Sequence, residues 1–187
     1  EAISIFDRSL LRHRRDRAAA GTYGEHDFLF REAAARLADR LLDVSRRFPL
    51  ALDLGCHQGE IAAALAGTGQ VDHLLQADLA PGMAAAARPR GPVAAADEEW
   101  LPFAEGSLDL IVSNLSLHWV NDLPGALIQI NRTLRPDGLF LAALLGGETL
   151  TELRQSLMAA ELEILGGASP RVSPFADLRN MGGLMQR

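Results

Sequence analysis

Leu50-Ala-Leu-Asp-Leu-Gly-Cys-His-Gln-Gly59 is the stretch from which the rest of the chain is read. A short apolar run meets a glycine and then an apolar helical segment, Ile61 to Ala66. That order predicts a buried strand, a tight turn and a helix. Gly55 and Gly59 allow sharp turning and close approach of a ligand to the backbone. The dinucleotide fingerprint G-x-G-x-x-G fits poorly, because its third position is His57 and its sixth is Glu60. Asp53 and Glu60 also place negative charge beside the helix start, where a pyrophosphate is repelled. If the turn requires a positive φ at His57, a histidine there is strained but tolerated.

The same alternation continues outward. His73 to Ala77, Pro92 to Ala96, Leu108 to Ser113 and Leu139 to Leu144 read as strands. Pro81 to Ala87, Leu123 to Leu134 and Thr149 to Leu165 read as helices. Pro136-Asp137-Gly138 reads as the turn that stops one of them, and Thr149 with Glu152 as a capping box that opens the next. Upstream, residues 4–17 read as a helix with Ile5, Leu10 and Leu11 on one side. Asp27 to Val44 reads as another, with Phe28, Leu29, Ala33, Leu37, Leu41 and Leu42 at helical spacing. Gly166 to Phe175 is the best loop candidate. The expected class is α/β, with a doubly wound, mostly parallel, Rossmann-like sheet whose ligand lies at the carboxyl ends of the strands. The expected organisation is a single domain over 1–187, with a helical segment at 1–47 and the core at 48–187.

Composition narrows the chemistry. All 18 basic residues among the 187 are arginine, so neither a Schiff-base lysine nor a P-loop lysine is available. Cys56 is the one cysteine, which excludes an intramolecular disulfide and multi-cysteine metal sites within the chain. The net charge of −6 disfavours nucleic acid as the main ligand. Residues 1–17 are basic but carry three acids, and read as a solvated helix of mixed charge. No apolar run reaches the ~18–20 residues of a membrane span.

A cationic nucleoside suits the acids better. S-adenosylmethionine carries a sulfonium, an ammonium and no phosphate. The turn resembles the first motif of class I S-adenosylmethionine-dependent methyltransferases, D-x-G-x-G-x-G. Asp53, Gly55 and Gly59 match, Cys56 lies within the turn, and His57 replaces the middle glycine. The resemblance implies further cofactor contacts. Asp78, twenty-five positions after Asp53, accepts the ribose hydroxyls, although a strand-end Asp also reads as a helix cap. Leu79 and Met83 flank the adenine, with core packing the other reading of Met83. Asp97 or Glu98 receives the adenine amino group, the pair reading equally as an acidic turn. Asn114 faces the methionine end and the transferred methyl.

A closer resemblance covers nearly the whole chain. It rests on Ile5-Phe6-Asp7-Arg8, Phe48-Pro-Leu-Ala-Leu-Asp-Leu-Gly-Cys56 and Ala96-Asp-Glu-Glu-Trp-Leu-Pro-Phe103. Ser113-Asn-Leu-Ser-Leu-His-Trp-Val-Asn-Asp-Leu-Pro124 is its most distinctive run. Leu134-Arg-Pro-Asp-Gly138, Gly146-Gly-Glu-Thr-Leu-Thr-Glu-Leu-Arg154 and Ser173-Pro-Phe175 complete it. Together they resemble the methyltransferase-fold assembly factors of respiratory NADH:ubiquinone oxidoreductase (complex I) and their bacterial relatives. The malonyl-acyl carrier protein methyltransferase of biotin synthesis is a more distant likeness.

The resemblance implies an S-adenosylmethionine-dependent methyltransferase acting on a small-molecule or protein acceptor, with a respiratory-complex subunit as a candidate partner. It equally implies two alternatives, a protein arginine hydroxylase on the same fold and a non-catalytic assembly factor. It places the protein in the bacterial cytoplasm, or in the mitochondrial matrix if eukaryotic. A non-haem iron site normally wants two histidines and a carboxylate, and none of the five histidines begins an H-x-D or H-x-E pair, so no metal is expected. His118, Asp122 and Glu148 are candidate bases. Each has a plainer reading: His118 with Trp119 as a pocket seal, Asp122 as a helix cap, and Glu148 as a partner of the next helix start. No catalytic residue is assigned. Class I methyltransferases usually end in an antiparallel strand pair, and the sequence stops at Arg187 before one. About five parallel strands are therefore expected, with an open edge that favours a homodimer.

Overall fold

The computed structural model describes residues 4–186. Helices α1 (Arg8–Ala19), α2 (Tyr23–His26) and α3 (Phe28–Leu42) precede the sheet. Strands β1 (Phe48–Leu54), β2 (Val71–Asp78), β3 (Val93–Ala95), β4 (Leu108–Asn114) and β5 (Leu134–Ala143) alternate with α4 (Glu60–Leu65), α5 (Pro81–Ala87) and α6 (Leu123–Thr133). The five strands pair in the order β3-β2-β1-β4-β5, all parallel. Chain direction across the sheet reverses between β1 and β4. The carboxyl ends of those two strands therefore flank the switch point, where doubly wound sheets bind their ligands.

Burial of β1 follows from cover on both of its faces. Phe48 and Ala51 join Leu110 and Val112 of β4, the α3 residues Ala34, Leu37, Ala38 and Leu41, and the α4 residues Ile61 and Leu65 in one apolar cluster. Leu52 and Leu54 are fully buried as well. The stripe that α3 buries differs from the one expected. Phe28, Leu29 and Leu42 are exposed, and the small residues Ala34 and Ala38 take their place, allowing the helix to sit close to the sheet.

Three local expectations fail for physical reasons. Pro136-Asp137-Gly138 does not separate helix from strand. β5 already pairs at Leu134, the pairing jumps from Leu108↔Leu134 to Leu110↔Leu139, and the three residues bulge out with Asp137 at φ 65°. The Thr149 capping box does not form: α7 (Thr151–Leu165) starts after Leu150, whose φ is 56°, and no side chain caps it. Instead Thr151 Oγ1 donates to the Glu148 carbonyl at 2.8 Å. In α1 the expected apolar side is not the buried one. Leu10 is exposed, and the buried residue of the helix is Arg15.

The chain divides into two compact units, 1–144 and 145–187. The second holds α7 and α8 (Leu178–Met185). Glu161 of α7 accepts the Ser169 amide at 2.8 Å and pairs with Arg171, closing the loop after Gly166, while Asp177 caps α8 through the Asn180 amide at 2.7 Å. Nothing in the local sequence pattern signalled α8. Among the described residues, no helix is long and apolar enough to cross a membrane.

Candidate functional site

The turn after β1 is held against β2. The Gly55 and Cys56 amides both donate to the Ala77 carbonyl, at 2.8 and 2.9 Å, and the Gly59 amide closes onto the Cys56 carbonyl. Gly55 and Gly59 sit at φ 76° and 90°. A Cβ on Gly55 would lie 2.2 Å from Ser116 Oγ, and one on Gly59 2.6 Å from Gln76 Oε1, so both positions require glycine for space as well as for backbone. His57 also takes a positive φ, 49°, the strained conformation its place in the motif foretold. Its amide donates to Asp78 Oδ2 at 3.0 Å, and its Nε2 lies 3.1 Å from the Asn114 carbonyl oxygen. The ring packs against Phe30 and Tyr23. Burial and the nearby Arg15 push the imidazole down to about 3, so it is neutral. The Cys56 thiol is buried, which pushes it up.

Five acids gather at the strand ends. Asp53, Asp78 and Glu98 are completely buried, Glu60 nearly so, and Asp97 is half-buried. They fall into two groups. On the β2–β3 side the acids meet cations from α1. Arg8 pairs with Asp97 and Glu98, and Arg15 Nη1 lies 3.2 Å from both Asp78 Oδ1 and Glu98 Oε1. Arg15 Nη2 also donates to Ser116 Oγ at 2.9 Å, and that hydroxyl donates to Glu98. Burial opposes the charge on Glu98, but Arg15, Arg8 and Ser116 overcome it and hold the carboxyl at about 2. Asp78 accepts the Ala80 amide at 2.8 Å as well as that of His57, yet burial still holds its carboxyl above the ordinary range.

On the β1–α4 side Arg90 reaches the Gln58 carbonyl at 2.9 Å, and among the described residues no cation pairs with Asp53 or Glu60. Among the described residues, neither carboxylate oxygen of Asp53 has a hydrogen-bond partner. Burial, with Glu60 and Asp78 nearby, pushes Asp53 well above its ordinary value. Glu60 accepts the Gln58 amide at 3.2 Å and faces the Tyr23 phenol, and burial pushes both groups up. Asn114, at the end of β4, donates from Nδ2 to the Phe30 carbonyl at 2.9 Å, and its Oδ1 is buried without a partner among the described residues.

The remaining expected residues divide. Met83 is buried in α5 and Leu79 is half-buried just after Asp78. His118, in the short 3-10 turn Leu117–Trp119, is half-buried and pushed down to about 4 by burial and Arg15. Asp122 caps α6, accepting the Gly125 amide at 2.9 Å. Glu148 lies in the second unit and is exposed. Sequence reasoning missed Arg8, Arg15, Ser116 and Asn121. Asn121 Oδ1 accepts the Ile5 and Phe6 amides, both at 2.8 Å, its Nδ2 donates to the Phe6 carbonyl, and Phe6 packs edge-on against Trp119. The signal was present, since Arg8 and Asn121 sit in two of the runs that carried the family resemblance. Those runs meet here, more than a hundred residues apart in sequence. A cavity of about 620 Å³ opens between α3 and the carboxyl ends of β4 and β5, with Leu37, Arg40, Leu115 and Ala143 in its walls. Among the described residues, no group of three or more His, Cys, Asp or Glu is placed to hold a metal ion.

Residues 52–142 match the methyltransferase domain model Methyltransf_11. Human mitochondrial arginine-hydroxylase NDUFAF5 is 47% identical over 189 residues, which is 99% of this chain and 54% of that protein. The malonyl-[acyl-carrier protein] O-methyltransferase of Methylovorus sp. is 35% identical, over 98% of this chain and 64% of the relative. The chain spans little more than half the length of the human protein. A Haloferax volcanii methyltransferase solved with the activator Trm112 superposes with a TM-score of 0.72 at 21% identity, covering 94% of this chain and 74% of that one, which establishes likeness of fold. The chain therefore has the class I methyltransferase fold, carries a methyltransferase-domain match over residues 52–142, and is similar in sequence over nearly its whole length to the NDUFAF5 arginine-hydroxylases.

Proposed function

We propose that the chain binds S-adenosylmethionine at the strand ends and serves as a methyltransferase of the assembly-factor type. The observation that carries the reading is Asp53, a fully buried carboxylate with two unsatisfied oxygens beside the glycine turn. A buried carboxyl of this kind ionises only at a cost unless a counter-ion completes it, and the ammonium of the cofactor's methionine end is of the right sign. In this reading Asp53 takes the ammonium, and the backbone of Gly55, Cys56 and Gly59 lets the ligand approach. Asp78 accepts the ribose hydroxyls, and Leu79 and Met83 flank the adenine. Asp97 receives the adenine edge more readily than Glu98, whose oxygens are already taken by Arg8, Arg15 and Ser116. Asn114 offers its free Oδ1 to the methionine end.

The bound cofactor would supply an electrophilic methyl group on a sulfonium. The protein's part is then alignment and exclusion of water. The cavity beside Leu115 and Ala143 offers room for an acceptor at the carboxyl ends of β4 and β5. His118, neutral at pH 7, is the candidate to hold a proton from it. The acceptor in this reading is a small molecule or a protein, with a respiratory-complex subunit in view, and the mitochondrial name of the human relative supports that setting for a eukaryotic counterpart.

A second reading is favoured by the name arginine-hydroxylase carried by relatives at 44–47% identity. Intact-mass analysis of the purified protein and of a candidate acceptor separates the two. Co-purifying S-adenosylmethionine or its demethylated product, with an acceptor that gains a methyl group, supports methyl transfer. An acceptor arginine that gains oxygen instead supports hydroxylation. No nucleoside binding at millimolar cofactor overturns both site assignments.

A further inference from the structure

Arg15 occupies ground that the proposed ligand needs. It is 7% exposed, and its Nη1 is shared between Asp78 and Glu98 at 3.2 Å to each. These are the longest contacts of the cluster. Glu98 does not depend on them, because Arg8 and the Ser116 hydroxyl also bind it. Asp78 is different. Its other partners are two backbone amides, and Arg15 is the side-chain cation it meets. An arginine that gives Asp78 a single N–H at 3.2 Å, its other Nη1 hydrogen going to Glu98, is a weak substitute for two hydroxyl donors on a single carboxylate.

Resting on the cofactor reading above, we propose that Arg15 is an internal stand-in for the ligand. Its guanidinium fills the Asp78 site in the free protein and leaves it when the vicinal diol of a nucleoside binds. The exchange needs only the side chain, because α1 has anchors that do not involve Arg15. Asp16 accepts the Gly82 amide at 2.7 Å, Asn121 holds the backbone of Ile5 and Phe6, and Arg8 donates to the Trp119 carbonyl at 3.2 Å. The stand-in keeps a buried carboxylate compensated while the site is free. It also sets a threshold, since every ligand must displace a cation first. Departure of Arg15 makes the site more negative at the moment a cationic nucleoside arrives.

The test is calorimetric titration of wild type and Arg15→Met with S-adenosylmethionine and S-adenosylhomocysteine. Arg15→Met is expected to bind both about tenfold more tightly than wild type. Wild type that binds, with a variant that binds equally or more weakly, overturns the stand-in and leaves the cofactor reading intact. No binding by either protein overturns the cofactor reading and the stand-in with it. A second measurement needs no variant. Arg15 in wild type, labelled with an arginine-directed dicarbonyl and read by peptide mass, is expected to be shielded alone and to gain reactivity when S-adenosylhomocysteine is added. Unchanged or reduced labelling contradicts the displacement.

Discussion

The two sides of the strand-end cleft hold the same kind of charge in opposite ways. Beside β2 and β3, Glu98 is buried but compensated, with two arginines and a hydroxyl on it and its carboxyl held at about 2. Beside β1, Asp53 is equally buried and has no partner among the described residues, so its carboxyl is pushed far the other way. One side holds its acids against arginines of α1. The other leaves Asp53 without one, and in the proposed reading the ligand supplies it. Burial alone does not distinguish the two sides.

The largest expected effect is on the uncompensated side. Asp53→Asn should weaken S-adenosylmethionine binding about hundredfold, the equivalent of roughly 3 kcal/mol for a charge-assisted contact. The same change should raise the melting temperature of the free protein, because it removes an unpaired buried carboxylate. Calorimetry and thermal unfolding together check both signs. Arg8→Met probes the compensated side and should do the reverse. Breaking a buried pair should cost about 3 kcal/mol of stability in chemical denaturation, with a smaller change in affinity, since Ser116 still donates to Glu98.

The two sides also titrate in opposite senses. The Glu98 carboxyl lies below its ordinary 4.5, so its contribution to stability is complete above that pH and is lost as pH falls toward about 2. Glu98→Gln should flatten this acid limb in pH-dependent unfolding. Asp53 lies above its ordinary 3.8, so it favours the folded state at low pH, and that contribution fades as pH rises through its folded value. Because a cationic ligand needs the ionised form, affinity should rise with pH over the same window. Binding should release a proton, measurable by calorimetry in buffers of different ionisation enthalpy. Asp53→Asn should abolish the release. Asp122→Ala lies outside both sides and serves as the control. It should cost about 1 kcal/mol through loss of a helix cap and leave binding unchanged.

Most of the sheet was legible because buried parallel strands are short apolar runs and each is punctuated by glycine, proline or an acid. The exceptions have a common cause. Pro136-Asp137-Gly138 carries a strong local turn signal, and only pairing with β4, through Leu108, makes it a bulge inside a strand. That the acids of the site gather at the strand ends was legible, because each lies at the end of a strand or follows one in the sequence. Their partners were not. α1 carries five arginines, which read together as a solvated face, and Arg12, Arg14 and Arg17 are indeed exposed. Arg8 and Arg15 turn inward to acids 63 to 90 residues away, a pairing that no local pattern encodes.

The most direct test of the account compares S-adenosylmethionine with 5′-methylthioadenosine, which keeps the nucleoside and lacks the ammonium, on wild type and on Asp53→Asn. Wild type should prefer S-adenosylmethionine by at least about tenfold, and Asp53→Asn should lose that preference while still binding the neutral nucleoside. An equal preference in both proteins would contradict the claim that Asp53 waits for a cation.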